Sequence, residues 1–307
     1  MTAHTVPWRT AWEAALYGPD GFFRTSRPGD HFRTSAHIGT FAAAIAELAR
    51  RARASTVVDL GCGGGELLIA LRQLLTDVEL IGVEVAERPA ALPDDIRWQA
   101  DLPERIDGLL IANEWLDNLP CHVVELDDAG TVREVLVDPA TGAERLGERH
   151  DSPWLRQWWP LIEAGDRAEV GDVRDMAWAD AVSRVDGTAI AIDYGHRRDD
   201  RPPFGSLRSY AAGREVDVLP DGSRDVTADV AVDAVAAAVG GRLVRQRDAL
   251  ADLGVGGTRP PIQLAHDDPA EYVRALSRAG EAAELVTSGL GDFWWIVTDT
   301  RHGRLTP

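Results

Sequence analysis

Short apolar runs alternate along the chain with segments in which apolar residues recur at helical spacing. Apolar runs without polar alternation are typical of strands that are buried on both faces, in a sheet that helices cover on either side. The sequence therefore predicts an α/β fold with a Rossmann-like, mostly parallel sheet and helices on both faces. The predicted strands of this sheet are 57–59, 79–84, 97–99, 107–112, 188–193, 242–247 and 293–298.

The middle of the chain has a different pattern. Two short strands at 123–126 and 132–137 flank a turn of acidic residues and glycine, which predicts a β-hairpin. Residues 153–184 are predicted to be helical and are rich in tryptophan. Because Trp154 and Trp158 are i,i+4 partners on such a helix, packing explains them better than ligand stacking does.

The most informative motif is Asp59-Leu60-Gly61-Cys62-Gly63-Gly64-Gly65, which ends the first predicted strand. Glycine tolerates unusual backbone angles and has no Cβ, so a ligand can lie directly against this loop. The helical segment that follows offers unpaired N–H groups at its start. The next strand ends in Glu84, which lies 19 positions beyond Gly65. This is close to the spacing at which an acid binds ribose hydroxyls, and the unit predicts a nucleotide-type site.

Two cofactors fit a loop of this kind, and the details favour one of them. A dinucleotide fingerprint that starts at Gly61 needs its third glycine at the position of Glu66. A carboxylate beside a pyrophosphate is unfavourable, whereas S-adenosylmethionine carries a sulfonium and an ammonium and has no phosphate. The sequence therefore predicts an S-adenosylmethionine site. The expected contacts are Asp59 at the amino-acid end, Gly61 and Gly63 along the donor, Glu84 on the ribose, Asp101 near the adenine, and Asn113 on the donor or its adjoining turn.

We expect a single domain over residues 1–307. The polar stretch 197–224, rich in arginine, proline and glycine, is predicted to be a mobile lid. Residues 7–17, 41–53 and 230–239 are predicted helices. The expected parts of the domain are an N-terminal cap at 1–39, a cofactor-binding core at about 40–125, a hairpin and tryptophan-rich helical cap at about 123–185, and the remaining core strands and lid at 186–307.

The charge and composition of the chain restrict the classes of ligand and partner that it can bind. The formal net charge of −18 argues against a nucleic-acid groove, since phosphate binding requires a basic face. An acidic surface attracts a basic substrate, although it also simply keeps a protein in solution. The chain has no lysine, which excludes a P-loop lysine and a pyridoxal Schiff base. No apolar run is long enough to span a membrane and the first residues do not resemble a signal peptide, so we expect a cytoplasmic protein without membrane insertion.

Cysteine and histidine usage predicts neither a disulfide framework nor a metal site. Cys62 lies inside the glycine loop and Cys121 follows Pro120. The eight histidines show no short ligand spacing, so no metal is expected.

Several motifs together resemble the MidA-type methyltransferases, the family of the mitochondrial complex I assembly-factor arginine methyltransferase. The run Asn-Glu-x-x-Asp-x-x-Pro combined with Asp-Tyr-Gly-His is fairly specific, whereas the glycine loop is shared by methyltransferases at large. At the first segment the chain departs from the family by inserting His31 and by lacking an acid near His37. The matching segments are Gly29–Ser35, Asp59–Gly65, Ala112–Pro120, Arg133–Asp138, Ile192–His196 and Asp225–Val230, which span most of residues 20–260 in the family's order.

The resemblance implies a class I methyltransferase fold, S-adenosylmethionine as donor, and a helical cap over the substrate mouth. It adds Thr34 of the first segment to the expected cofactor contacts. For the family's best-known branch it also implies N-methylation of an arginine on a protein partner.

The expected catalytic residues are Glu114, Asp117 and His196. Glu114 and Asp117 are three apart at the end of the fourth strand, so on a helical turn they would point the same way and hold a guanidinium. His196 follows the fifth strand and is a candidate base for a neutral acceptor such as a hydroxyl. In the alternative interpretation Asp117 caps a helix, Glu114 is solvated and His196 is a structural hydrogen-bonding residue.

Three functions remain open from the sequence. The first is a methyltransferase that acts on a protein arginine. The second is a small-molecule O- or N-methyltransferase of secondary metabolism, suggested by the missing acid near His37 and by His196. The third is an S-adenosylmethionine-binding assembly factor without turnover, suggested by the tryptophan-rich region as an interface. The oligomeric state is also open, a homodimer included.

Overall fold

The computed structural model describes residues 4–25 and 35–301, except for the side chains of Thr25 and His37. The strands are β1 (Val6–Pro7), β2 (Thr56–Leu60), β3 (Glu79–Val83), β4 (Arg97–Gln99), β5 (Ile106–Asn113), β6 (His122–Leu126), β7 (Val132–Val137), β8 (Glu144–Arg149), β9 (Arg167–Val170), β10 (Val185–Asp193), β11 (Gly195–His196), β12 (Arg208–Ala211), β13 (Arg214–Val216), β14 (Asp225–Thr227), β15 (Val230–Ala231), β16 (Arg242–Arg245) and β17 (Trp294–Asp299).

Two of the described helices begin at a recognisable signal in the sequence, a side-chain N-cap followed by proline. Before α10, for example, Asp268 accepts a hydrogen bond from the Glu271 amide at 2.9 Å and Pro269 occupies the first helical position. The helices are α1 (Trp8–Tyr17), α2 (Phe22–Thr25), α3 (Gly39–Arg51), α4 (Glu66–Arg72), α5 (Pro153–Trp158), α6 (Asp172–Ser183), α7 (Val232–Val239), α8 (Gln246–Asp252), α9 (Ile262–Asp267) and α10 (Pro269–Val286), with short 3₁₀ turns at Ser35–His37, Leu116–Asn118 and Leu290–Asp292.

A seven-stranded sheet forms the centre of the fold, in the order β4-β3-β2-β5-β10-β17-β16. Only β17 runs antiparallel to its neighbours. The chain order of these strands is therefore 3-2-1-4-5-7-6, and the winding direction reverses between β2 and β5. Open α/β sheets bind ligands beyond the carboxyl ends of their strands at such a reversal. The predicted α/β class with a mostly parallel sheet is confirmed.

Both faces of the central sheet are buried, as the apolar runs predicted. Successive side chains of a strand point to opposite faces. Val57 accordingly packs into the core formed with α3, α4, α8 and α10, while Val58 packs into the core formed with α6 and α7. Because both sides are covered by helices, the carboxyl ends of the strands are the edge at which a ligand can reach the sheet.

A second layer of antiparallel strands packs beside this sheet. The strands β1, β7, β6 and β9 form a sheet in that order, with β8 on β7, and α1 packs against it through Trp8 and Trp12. A three-stranded sheet, β13-β12-β14, adjoins α1 through a hydrogen bond from Trp12 Nε1 to the Val226 carbonyl at 2.7 Å. These two sheets form the cap over the core.

The cap therefore contains more strand than the sequence predicted. Residues 153–184 divide into α5, the strand β9 and α6, because β9 pairs with the distant strand β6 and local periodicity cannot detect such a partner. The segment 197–224, predicted as a lid, contains β12 and β13. Within the expected N-terminal cap at 1–39, the described residues form β1, α1, α2 and a 3₁₀ turn at Ser35–His37, while residues 1–3 and 26–34 lie outside the described residues.

Two further expectations concern cysteines and the membrane. Cys62 and Cys121 are both buried and free, as expected. Within residues 4–25 and 35–301, no helix has the length and apolar character needed to cross a bilayer.

Arg174 in α6 is a buried cation that joins separate segments of the cap and core. Its side chain is only 2% exposed. The guanidinium donates to four backbone carbonyls, those of Asp117 at 2.7 Å, Asp229 at 2.9 Å, and Leu119 and Ala228 at 3.3 Å. It also lies 5.7 Å from the ring centre of Trp12. A buried guanidinium with this many acceptors fixes the relative positions of three chain segments.

We expect Arg174→Met to lower the free energy of unfolding by about 3 kcal/mol or more, because four buried carbonyls lose their shared donor. Urea unfolding followed by circular dichroism measures this change. The matched control is Arg156→Met, since Arg156 is 65% exposed and pairs with Asp151 at the surface. That variant should lose at most about 1 kcal/mol. Equal losses in the two variants would contradict the role assigned to Arg174.

Candidate functional site

A cavity of about 800 Å³ lies where the winding of the central sheet reverses. Its walls come from the glycine loop after β2, the ends of β3, β5 and β10, the end of α1, and the segment from β14 to Asp229. Many of the lining side chains are acidic or aromatic. They include Tyr17, Phe23, Asp59, Glu66, Glu84, Glu114, Trp115, Asp117, Tyr194, Asp225 and Phe293.

The glycine loop forms one wall in a conformation that only glycine adopts readily. Gly61 has φ = 72° and its amide donates to the Val83 carbonyl at 2.9 Å, which ties the loop to β3. A Cβ at Gly61 would lie 2.6 Å from the Trp115 ring, so a side chain there would displace that tryptophan. Gly63 also has positive φ, at 55°. Gly61 and Gly63, the two expected donor contacts of this loop, both line the cavity.

Glu84 faces this loop from the end of β3. Its carboxylate accepts hydrogen bonds from the amides of Gly63 at 3.0 Å, Val85 at 2.7 Å and Ala86 at 3.3 Å. Burial raises its pKa, and these backbone hydrogen bonds act in the opposite direction. A carboxylate can accept about four hydrogen bonds, so a ligand hydroxyl still finds an acceptor here. This geometry suits the predicted ribose contact.

Asp59 lies at the base of the same wall and is 4% exposed. Burial raises its pKa to about 8, and the nearby charges of Glu66 and Glu84 act in the same direction. A buried carboxyl of this kind is stabilised as an anion when a cation binds beside it. The ammonium and sulfonium of S-adenosylmethionine supply such charges, so the residues present fit this donor.

The end of β5 presents Asn113 and Glu114 to the opposite side of the cavity. Glu114 adopts φ = 53°, a left-handed conformation that is uncommon for a residue with a side chain and is often found at functional sites. Its carboxylate accepts from Asn113 Nδ2 at 3.0 Å and from the Ser35 amide. Burial, together with the charge of Asp117, raises the pKa of Glu114 to about 7. A carboxyl with this pKa can exchange a proton near neutral pH.

Asp117 belongs to a buried network behind the cavity wall. Its Oδ2 accepts from the Tyr194 hydroxyl at 2.5 Å and from Thr227 Oγ1 at 2.8 Å. Its amide donates to Asp193 Oδ2 at 3.1 Å. Burial raises the pKa of Asp117, and burial followed by the charge of Asp117 raises that of Asp193. Asp117 thus lies near Glu114, as predicted, but half of its carboxylate is already engaged in positioning Tyr194.

Asp225 also lines the cavity, and the sequence singled it out only as part of a family-like run. It opens β14 and is 8% exposed. Burial raises its pKa to about 8, with further contributions from Asp117 and Glu114. Nothing local in the sequence marks this residue, because it reaches the site through the pairing of β14 with β12.

Four buried acceptor atoms on residues that line this cavity have no hydrogen-bond donor among the residues that the structure describes. They are Asn113 Oδ1, Asp117 Oδ1, Asn118 Oδ1 and Asp225 Oδ1. Unpaired buried acceptors are uncommon in folded proteins, and a ligand often supplies the missing donor. The site therefore favours a ligand that is rich in N–H or O–H groups and positively charged.

Three of the predicted site residues, His196, Asp101 and Thr34, are not among the described residues that line the cavity. His196 is 4% exposed, packs against the Trp159 ring and contacts Arg201 Nη1 through its Nδ1 at 2.7 Å. Burial and the charge of Arg201 lower its pKa to about 3, and it is not among the residues that line the cavity. Asp101 is exposed and follows Ala100, which does line it. Thr34 lies outside the described residues.

Comparison with known proteins agrees with this geometry. Residues 69–246 match the family described as "Putative S-adenosyl-L-methionine-dependent methyltransferase". A COG1565 superfamily member from Burkholderia thailandensis, solved with bound S-adenosyl-homocysteine, is 23% identical; the alignment covers 95% of this chain and 87% of that one, with a TM-score of 0.75. An uncharacterized COG1565 superfamily protein from the same organism is 25% identical, with 96% and 87% coverage and a TM-score of 0.75.

No curated protein matches the chain. The family match nevertheless spans more than half of the sequence, and the matched region includes Glu84, Asn113 and Glu114. The chain therefore belongs to this family of S-adenosyl-L-methionine-dependent methyltransferases, the MidA-type family that its motifs resemble.

Proposed function

We propose that this methyltransferase N-methylates an arginine side chain of a protein partner. The observation that carries the proposal is the set of four unpaired buried acceptors in the cavity, on Asn113, Asp117, Asn118 and Asp225. A guanidinium has five N–H donors in a planar array and no acceptor, so it complements such a set. The acids Glu114 and Asp225, with pKa values raised to about 7 and 8, gain a compensating charge when it binds.

The residues at the acceptor end have separable tasks. An arginine is protonated at any physiological pH, so it must be bound as a cation and lose its proton as the methyl group arrives. Glu114 and Asp225 bind the guanidinium, and Glu114, with a pKa near neutrality, accepts the proton. Asp117 and Thr227 hold the Tyr194 hydroxyl and so position the aromatic wall. His196 has no part in this scheme.

The donor end uses the glycine loop, Asp59 and Glu84. When bound, S-adenosylmethionine supplies a methyl group made electrophilic by its sulfonium. Asp59 compensates the positive charge of the donor, and Glu84 accepts hydrogen bonds from ribose hydroxyls. The loop backbone brings the donor close to the acceptor carboxylates, and alignment of the two reactants is the main contribution that a protein makes to an in-line displacement.

The net charge of −18 supports a basic partner, because a long-range negative potential raises the encounter rate with cationic surfaces. The alternative function without turnover loses part of its support. That function would use the tryptophan-rich region as an interface, but three of its tryptophans are buried in the cores of the molecule: Trp154, Trp159 and Trp178.

A small-molecule acceptor stays the second candidate because Arg208 and Arg245 also line the cavity and would suit an acidic compound. Both guanidiniums are already engaged, however. Arg208 pairs with Asp229, and Arg245 binds the Asp292 carbonyl.

Glu84→Ala should weaken binding of S-adenosylhomocysteine by roughly ten- to a hundredfold, because a charged acceptor of ribose hydroxyls is lost. Isothermal titration calorimetry measures the affinity. Glu79→Ala, at the exposed start of the same strand, is the control and should bind the ligand as the wild type does. Identical affinities for Glu84→Ala and the wild type would exclude the ribose contact.

Binding of S-adenosylhomocysteine should release protons, and its affinity should rise as the pH increases from 6 towards 8. Asp59 has a pKa of about 8 in the free protein, and a bound ammonium lowers it. The pKa is therefore higher in the free state than in the bound state, so protons compete with the ligand at lower pH. Calorimetry in buffers of different ionisation enthalpy counts the released protons. Asp59→Asn should reduce this release, and an unchanged release would assign it to another group.

The test substrate is a peptide that is rich in arginine and has no acidic residues. Glu114→Gln and Asp225→Asn should each lower methyl transfer to this peptide by roughly a hundredfold or more, because the guanidinium loses a charged partner. Donor affinity should stay within a few-fold. Mass spectrometry after incubation with isotope-labelled donor detects the methylarginine, and Glu215→Gln on the exposed strand β13 is the control. If a labelled lysate carries the methyl group only in low-mass compounds, the protein-arginine proposal is wrong and the small-molecule alternative holds.

A further inference from the structure

Two histidines and a glutamate converge on the five-stranded sheet, away from the residues that line the cavity. His122 begins β6, Glu134 lies in β7, and His150 directly follows β8. None of the three lines the cavity. Their potential ligand atoms, one from each residue, all lie within 4.8 Å of one another. The chain thus brings together three residues that are 12 and 16 positions apart in sequence.

The strand register explains why these side chains meet. Glu134 pairs with Val124, so His122, two residues before Val124, lies on the same face of the sheet as Glu134. On the other side of β7, Arg133 pairs with Arg149. The next residue along each strand therefore projects to the opposite face, which places His150 on the face of Glu134. Three adjacent strands contribute one side chain each.

The contact distances agree with a common centre. His122 Nδ1 lies 2.6 Å from Glu134 Oε1, and His150 Nδ1 lies 3.3 Å from Glu134 Oε2. The two imidazole rings are 5.2 Å apart between centres. Ligand atoms at about 2.1 Å from one tetrahedral ion lie roughly 3.4 Å from each other, so small side-chain movements suffice to admit an ion.

We propose that His122, Glu134 and His150 form a binding site for a divalent transition-metal ion, with Zn²⁺ as the representative. Two imidazole nitrogens and one carboxylate suit zinc and its first-row neighbours, whereas Mg²⁺ and Ca²⁺ prefer oxygen ligands alone. Three protein ligands leave a fourth position for water. The ion would clamp β6, β7 and β8 together.

Arg9 in α1 opposes the binding of a cation at this cluster. Its Nη1 lies 3.4 Å from His122 Nε2, and its positive charge repels a cation. Because Arg9 is only half-buried and lies in the first turn of α1, its side chain can turn away towards solvent. Removing this charge is expected to strengthen metal binding. No such effect is expected if the three side chains form only a structural hydrogen-bond cluster.

The test uses the full-length protein without an affinity tag, freed of metal with a chelator and titrated with Zn²⁺ by calorimetry. We expect one ion per chain with micromolar or tighter affinity and a higher midpoint of thermal unfolding. His122→Ala and His150→Ala should weaken binding by at least about a hundredfold, since even residues that only orient metal ligands are worth 10- to 100-fold. His266→Ala, an exposed histidine of α9, is the matched control and should leave binding unchanged.

Two further variants keep the proposal open to contradiction. Glu134→Gln keeps the shape of the side chain and should lose the ion while circular dichroism in chelator shows an intact fold. Arg9→Ala should bind Zn²⁺ more tightly than the wild type. The proposed site is wrong if the wild type binds Zn²⁺ more weakly than millimolar. It is also wrong if His122→Ala and His150→Ala bind Zn²⁺ as tightly as the wild type, or if Arg9→Ala binds it more weakly than the wild type.

Discussion

The arrangement of the acceptor site depends on one buried cation. Arg174 donates to carbonyls on the turn after β5, which carries Asp117, and on the segment that directly follows β14, the strand that Asp225 begins. These segments are more than a hundred positions apart in sequence, and each brings a carboxyl group into a poorly solvated space. Without a shared donor between them, repulsion between the acids would separate the walls of the cavity. The guanidinium binds backbone carbonyls and so fixes the walls without pairing with the carboxylates themselves.

The acids are therefore held ready for a positive ligand. Burial raises the pKa of Asp59, Glu114 and Asp225 to between about 7 and 8. Each one destabilises the ligand-free fold progressively as the pH rises from its unfolded pKa near 4 to its folded value, because the folded state binds protons more tightly. A ligand with positive charge at both the donor and the acceptor end relieves this cost. The proposed methyl transfer, from a sulfonium to a guanidinium, would bring together two such charges.

Most of the residues that the sequence predicted for the donor end line the cavity, for a physical reason. The glycine loop and Glu84 lie within one strand–loop–helix–strand unit, and their relative positions follow from local geometry. The α/β class with a mostly parallel sheet also followed from the apolar runs and the family resemblance. Glu114 and Asp117 were found because they follow β5 directly.

The parts that escaped prediction depend on pairing between distant segments. Asp225 reaches the cavity through the contact of β14 with β12, and the helical interpretation of 153–184 failed because β9 pairs with β6. His196 was expected at the cavity because it follows β10, yet the short parallel pairing of β11 with β15 places it beside Trp159 and Arg201. The histidine–glutamate cluster was missed likewise, since ligands on three adjacent strands have no short spacing in sequence.

The N-terminal helix shows how the cap completes an otherwise ordinary donor-binding core. At its start, Trp8 Nε1 donates to Glu144 of the five-stranded sheet at 2.5 Å, and in its middle Trp12 binds the Val226 carbonyl. At its end, the Tyr17 hydroxyl donates to the Asn118 carbonyl at 3.1 Å, and Tyr17 lines the cavity. One helix thus connects both cap sheets to the turn that carries the acceptor acids. The residues expected to bind the donor lie close together in the sequence of the core. The acceptor end, in contrast, depends on contacts that form only when the whole cap is folded.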